Sequence, residues 1–352
     1  MFPESFAQGW IEKLSKPGEI VLDPFSGRGT TAFQCMLMGR RPIACDVNDV
    51  AYCVTRAKTH APRLDSLRRR ITVLERSFQK TEWTEAKASM PEFFRHAYSS
   101  ETLAQLLHLR STLKWRTNNV DCMIAALLLG ALHGESAKSS SYLSNQMPRT
   151  ISTKPGYSVR FWLQRRLVAP QRNAFELLRK QASYRYESSP PQGDAWIFHR
   201  DMRQLSWANI DLPQPIQLVV TSPPYLDVTN FEEDQWLRLW LLGGPPYPTR
   251  GRISRDDRHE RPDAYWGFIA DMWRMLGSVV ANRGHVVIRI GARGMSPDEM
   301  SKKLLATSVF SHRPIRLLYQ SCSALKGRQT DAFRPGSRGC RIELDCHFQF
   351  QR

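Results

Sequence analysis

Cysteine is scarce and unpaired in this chain. Seven are scattered over 352 residues, an odd number with no Cys-x-x-Cys pair. That spacing excludes a disulfide scaffold and the common zinc modules, and it fits reduced thiols in a cytoplasm. Cys340 and Cys346-His347 lie near one another but lack a second ligand pair, so they read as buried or strand cysteines and no metal is expected. Long apolar runs are missing too. The longest, Met123 to Leu129, is far short of the roughly 18 residues that cross a bilayer. Met1-Phe2-Pro3-Glu4-Ser5 has neither the basic nor the apolar region of a signal peptide, so no export is expected. No G-x-x-x-x-G-K-[ST] loop occurs, which argues against ATP-driven translocation.

Acid is in short supply. Fifty Lys and Arg stand against 33 Asp and Glu, a formal net charge of +17. A surplus that large repels itself in the folded state, so it points to a polyanionic partner, nucleic acid ahead of a membrane surface. With 41% hydrophobic and 24% charged residues, the composition is otherwise that of an ordinary globular protein. The length allows one large core, or a core with a modest second domain.

The first sixty residues alternate helix and strand. Phe6 to Leu14 reads as an amphipathic helix, Ile20 to Asp23 as a strand, Thr30 to Met38 as a helix and Pro42 to Asp46 as a second strand. Such a βαβ unit favours a parallel sheet with helices on its faces. From about Ala61 to Gly193 the pattern becomes helical, as in Leu64, Leu67, Ile71 and Leu74. The second half of this insert is rich in Lys and Arg. Strand signals return at Ala195 to Phe198, Ile216 to Val220, His285 to Ile290, Arg313 to Tyr319 and Arg341 to Phe350. Helices are expected at Glu232 to Leu242 and Trp266 to Ala281. The pattern predicts an α/β domain, 1–60 and 194–352, split around a helical insert, 61–193.

Two motifs carry chemistry. Gly27-Arg28-Gly29-Thr30-Thr31-Ala32 fits G-x-G-x-x-[GA] between a strand and a helix, where glycines allow a tight turn and a helix start offers N–H groups to an anion. Asp46 ends the next strand, at the distance where an acid meets ribose hydroxyls. This pattern alone leaves a dinucleotide and S-adenosylmethionine both open. The second motif, Thr221-Ser222-Pro223-Pro224-Tyr225, follows a buried strand. Two prolines fix the backbone and remove two donors. Ser222 and the Pro223 carbonyl can then accept N–H bonds from a planar base's amino group, while Tyr225 stacks on its ring. The plainer alternative is a proline-rich strand end with a core tyrosine.

Together, Asp23-Pro24-Phe25-Ser26-Gly27-Arg28-Gly29-Thr30 and Ser222-Pro223-Pro224-Tyr225 resemble the motifs of the amino-group (cytosine-N4 and adenine-N6) DNA methyltransferases. The serine at 222 resembles the cytosine-N4 branch, since adenine-N6 enzymes more often carry an acid or Asn there. The resemblance implies a class I, Rossmann-like fold with a mostly parallel seven-stranded sheet, and S-adenosylmethionine as cofactor. It implies that Phe2, Pro3 and the following helix close over the methionine end. Asp23, Pro24, Phe25, Gly27, Gly29 and Thr30 would form the cofactor loop, Asp46 would hold the ribose, and Asp201 would lie near the adenine. One departure is the motif order: in many cytosine-N4 enzymes the Ser-Pro-Pro-Tyr motif comes first, whereas here it follows. No Pro-Cys pair occurs, which disfavours the covalent route of ring-carbon methylation.

The resemblance further implies double-stranded DNA as partner and a prokaryotic, nucleoid-associated setting. A restriction–modification or related defence role would bring a cognate restriction endonuclease. The insert is expected to read the target, with Arg160, Arg165 and Arg166 beside Phe161 and Trp162 as its DNA contacts. An RNA amino-methyltransferase, an inactive DNA-binding shell and a nicotinamide enzyme are the rival readings.

Overall fold

The computed structural model describes residues 2–134, 141–147, 154–206, 214–226, 231–249, 262–292, 294–324, 340 and 342–351. The chain divides into two units: residues 1–59, 191–229 and 253–352, and residues 60–190 and 230–252.

The first unit is an α/β layer structure. Its elements begin with α1 (Glu4–Leu14), β1 (Ile20–Asp23), α2 (Thr30–Leu37), β2 (Arg41–Asp46) and α3 (Asp49–Thr59). After the second unit's first helices, α4 (Leu64–Arg76), α5 (Thr84–Ala88), α6 (Glu92–Ala97), α7 (Ser100–Thr112), α8 (Asn119–Ala131), α9 (Pro155–Gln164) and α10 (Ala174–Arg185), it resumes with β3 (Trp196–His199) and β4 (Ile216–Thr221). The helix α11 (Phe231–Leu241) precedes α12 (Pro262–Val279), β5 (Val280–Ile290), α13 (Pro297–Thr307), β6 (Ile315–Ala324) and β7 (Ile342–Phe350).

The seven strands form one sheet in the order β3-β2-β1-β4-β5-β7-β6. The five strands β1 to β5 pair in parallel, and β7 runs antiparallel between β5 and β6. This is the class I methyltransferase arrangement, as the motifs implied. Alternation within the strands builds a core on each face. Val21, Leu218, Val220 and Val287 bury against Ala7 and Ile11 of α1 and Cys35 of α2. Ile20, Leu22, Val219, Val286 and Ile288 bury on the opposite face against Phe268, Met272, Trp273 and Leu276 of α12. Cys340 and Cys346 are buried, Cys346 within β7. Among the described residues no helix is long and apolar enough to cross a membrane.

The second unit is helical. Leu67, Ile71 and Leu74 of α4 are fully buried at the i, i+4, i+7 spacing that the sequence displays. Arg70 grips the buried Asp121 of α8 through two bonds of 2.7 and 3.1 Å. Residues 230–252 were expected to belong with the α/β domain, but they group with this unit. The reason is aromatic: Trp236 and Trp240 of α11 are almost fully buried and pack on Phe93 and Phe94 of α6. The guanidinium of Arg110 donates to the Trp240 and Gly244 carbonyls at 2.8 and 3.1 Å.

Candidate active site

The sequence-predicted residues converge on one edge of the first unit's sheet. Asp23 ends β1, Asp46 ends β2, Asp201 follows β3 and Ser222 follows β4. These four strands are consecutive neighbours in the sheet and run in parallel. Their carboxyl ends therefore line up along the crevice where open α/β sheets take ligands.

The glycine loop is held in place from several sides. Gly27 and Gly29 have φ of +51° and +71°, values that L side chains rarely adopt. A Cβ on Gly29 would also lie 2.7 Å from the Thr55 hydroxyl of α3, so the loop packs against that helix with no room to spare. Asp46 accepts from the Gly27 amide at 2.9 Å and from the Asn48 amide at 2.9 Å. Its carboxylate thus shapes the loop. Lys58 of α3 donates to the Arg28 carbonyl at 2.7 Å.

Asp23 is a buried carboxyl whose partners are neutral. It accepts from the Thr221 hydroxyl at 2.7 Å and from the Phe25 amide at 3.2 Å. Burial pushes its pKa up to about 6, and the bonds from Thr221, Thr31 and Phe25 offset only part of that rise. The Thr221 bond joins the glycine motif to the Ser-Pro-Pro-Tyr motif directly. Nothing in the sequence signals it beyond a threonine at the strand end.

Phe25 packs its ring against Phe268 at 5.2 Å, and Pro24 is buried. Phe2 packs on Phe6 at 4.9 Å, while the exposed Pro3 precedes the first turn of α1. Asp201 is engaged by Arg203, through its amide at 2.9 Å and its guanidinium at 3.0 and 2.7 Å. Its distance from β2 is fixed by the Arg200 amide, which donates to the Asp46 carbonyl at 3.2 Å.

In the Ser-Pro-Pro-Tyr motif, Pro223 is buried, and Ser222, Pro224 and Tyr225 are half-buried. The backbone beyond it is fixed by the Leu226 amide, which donates to the Gly291 carbonyl at 3.2 Å. Tyr225 donates its hydroxyl to Glu343 at 2.7 Å. Burial and the neighbouring Glu343 carboxylate both push the Tyr225 phenol far above its ordinary pKa, so it is a neutral donor. Glu343 in turn pairs with Arg289 at 3.3 Å, and Arg289 holds Asp345 through two bonds of 2.6 and 2.7 Å. None of these three was singled out from the sequence. Their signal was the alternation in β7, where Glu343 and Asp345 interrupt an apolar strand at period two.

In the second unit, Arg160, Arg165 and Arg166 are all exposed on and just after α9. The Arg165 guanidinium lies 4.1 Å over the Phe161 ring. Trp162 is not part of that surface. It is fully buried, donates to the Gln146 carbonyl at 2.5 Å and packs on Phe93. The basic loop Arg250 to Arg261 lies outside the described residues.

Residues 1–55 match the model of a family described as DNA methylase, N6_N4_Mtase. The matched segment is similar to the DNA methylases of that family. It contains the glycine motif and Asp46, and it ends before the Ser-Pro-Pro-Tyr motif. No curated protein matches the chain in sequence. Among solved structures, an rRNA methylase from Streptococcus thermophilus is 7% identical, with a TM-score of 0.36, over 100% of this chain and 98% of that one. The rRNA methyltransferase aviRa from Streptomyces viridochromogenes is 12% identical, with a TM-score of 0.34, over 99% and 85%. A TehB-like SAM-dependent methyltransferase from Corynebacterium glutamicum is 8% identical, with a TM-score of 0.34, over 98% and 86%. At these scores the likeness carries no argument about substrate.

Proposed function

We propose that this methyltransferase transfers a methyl group from S-adenosylmethionine to the exocyclic N4 of a flipped-out cytosine in double-stranded DNA. The observation that supports the reading is the direct Thr221–Asp23 bond, which ties the strand end just before Ser222 to the adjacent strand end just before the glycine loop.

The donor set fits the cofactor. A buried carboxyl with only neutral partners suits a cationic ligand, and Asp46 ends the neighbouring strand, where an acid would meet ribose hydroxyls. Phe2, Pro3, Pro24, Phe25, Gly27, Thr30 and Asp201 would complete that site. When bound, S-adenosylmethionine supplies an electrophilic methyl group on a sulfonium.

The remaining work falls to the chain. The target base leaves the duplex at a cost of a few kcal/mol. Its amino lone pair is delocalised into the ring and is a poor nucleophile. Ser222 and the Pro223 carbonyl would accept the two amino protons, favouring a pyramidal nitrogen with its lone pair directed out of the ring plane. Tyr225 would hold the ring by stacking. Positioning then provides much of the acceleration.

Mass spectrometry of nucleosides from DNA of cells expressing the chain should reveal N4-methylcytosine. N6-methyladenine would overturn the base assignment and leave the enzyme class standing, whereas 5-methylcytosine would overturn the mechanism. Transfer to structured RNA in preference to duplex DNA would reject the substrate. The restriction–modification role is tested separately, by asking whether expression protects DNA from a companion nuclease.

Asp46→Ala should weaken S-adenosylmethionine binding by more than the ribose contacts alone, because the Gly27 amide loses its acceptor too. Calorimetry should show a loss on the order of tenfold or greater, given about 1.5–3 kcal/mol for a hydrogen bond to a charged group. Unchanged affinity with the fold intact would remove Asp46 from the site.

A further inference from the structure

A sheet covered on both faces is expected to be apolar on both. In β5 and β7 one face obeys: Val286, Ile288, Leu344, Cys346 and Phe348 enter the core against α12 and α13. The other face does not. Arg289 of β5 stands directly opposite Asp345 of β7, and Glu343 follows two residues away on the same side. All three are nearly buried, at 9%, 8% and 6% exposure. The Phe6 ring of α1 covers the Arg289 guanidinium at 4.0 Å.

Buried ion pairs contribute little net stability, because desolvation consumes most of the attraction. Two acids around one guanidinium are a particularly poor substitute for a packed apolar core. What the arrangement does provide is geometry. The bidentate Asp345 pair fixes the Arg289 plane, Arg289 fixes Glu343, and Glu343 accepts the Tyr225 hydroxyl at 2.7 Å. The ring is confined on its edge as well. A Cβ at Gly291 would sit 2.8 Å from the Tyr225 ring and 2.6 Å from the Cys340 sulfur. Tyr225 is thus held at its hydroxyl and along its ring edge.

We propose that Glu343, oriented by Arg289, is a positioning residue that fixes the Tyr225 ring for stacking on the target base. The role rests on the function proposed above. Glu343 acts only through the phenol, so its effect exists only while the phenol is there.

The test is a double-mutant cycle in the full chain, with Glu343→Gln, Tyr225→Phe and the two combined. Each is assayed for labelled-methyl transfer to duplex DNA, for S-adenosylmethionine affinity, and for fluorescence of 2-aminopurine at the target position. Glu343→Gln should lower turnover on the order of tenfold to a hundredfold, the cost of a misplacement of about 1 Å. It should reduce the 2-aminopurine signal while cofactor affinity stays within about twofold. In the Tyr225→Phe background it should cost nothing further.

Additive losses, or no loss from Glu343→Gln alone, would overturn the positioning role. If Glu343→Gln does not fold, Tyr225→Phe still decides, because it keeps the ring and the ion pairs and removes only the hydroxyl. Full turnover in that variant would overturn the proposal. Absence of methyl transfer to DNA by the unmutated chain, with transfer to RNA or none, would overturn the function itself and the positioning role with it. The two failures are therefore distinguishable.

Discussion

Replacing Asp23 by Asn is expected to stabilise the ligand-free protein at pH 7 by about 3 kcal/mol at most, and to weaken its binding of S-adenosylmethionine at least tenfold. The first half follows from the carboxyl's environment. Burial raises the Asp23 pKa from 3.8 to about 6 in the folded state. Between those values the folded chain retains a proton that the unfolded chain has released. Stability from this group is therefore fully present below about pH 4 and is lost as pH rises through 6. Each pKa unit corresponds to about 1.4 kcal/mol, which sets the magnitude. Asn presents the same Oδ1 to the Thr221 hydroxyl and the Phe25 amide, so the local hydrogen bonds can persist.

The second half follows from charge. S-adenosylmethionine carries cationic groups, and a desolvated carboxylate at the carboxyl end of β1 attracts them far more than a neutral amide does. Cofactor affinity of the unmutated chain should accordingly rise with pH through 6, while that of the variant should stay flat. Denaturant unfolding at pH 4 and pH 7, paired with calorimetry, reads both effects. Equal stability of the two chains at pH 7 would show that burial does not strain the carboxylate. Equal affinity would place Asp23 outside the site.

The strands and the residues at their ends were legible because each βα junction announces itself. A buried strand, a glycine turn and a helix start come in fixed succession, and the acid or serine at each strand end is visible by position. The seven-stranded, mostly parallel sheet was what the resemblance of the two motifs implied, and the antiparallel place of β7 was not legible. Partnerships between distant residues were not legible. Thr221 and Asp23 are 198 positions apart, and nothing local to either reveals their bond. Arg289, Asp345 and Glu343 were hidden for another reason: charged residues in a strand ordinarily read as its solvent face, yet here all three are nearly buried, with Phe6 of α1 over Arg289. Trp236 and Trp240 misled in the opposite direction. They were read with the domain that follows the tyrosine motif, yet tryptophans go where enough apolar area is offered, and here that is Phe93 and Phe94.

The largest effect outside the α/β unit is expected from Arg160, Arg165 and Arg166 changed together to Ala, which should abolish most DNA binding and leave cofactor affinity unchanged. All three are exposed on or just after α9, so the apolar core does not depend on them. The Arg165 guanidinium sits over the Phe161 ring at 4.1 Å, which pre-orders it and lowers the entropy lost on meeting a phosphate. Arg166 has φ of +51°, a left-handed position after the helix where Gly or Asn is the easier choice. A cation kept at a position of about 1–2 kcal/mol backbone cost suggests a role in function rather than folding. If each contacts one phosphate, the log–log salt slope should fall by about 2.7, at about 0.9 per contact. Between 50 and 200 mM salt the variant would then lose affinity about 40-fold less steeply than the unmutated chain. A residue that reads a base edge instead would leave the slope nearly unchanged and relax specificity at one position, by roughly 1–3 kcal/mol. Filter-binding or anisotropy titrations across that salt range distinguish these cases. Unmutated affinity and slope in the triple variant would show the cluster to be a solvated face of the helical unit.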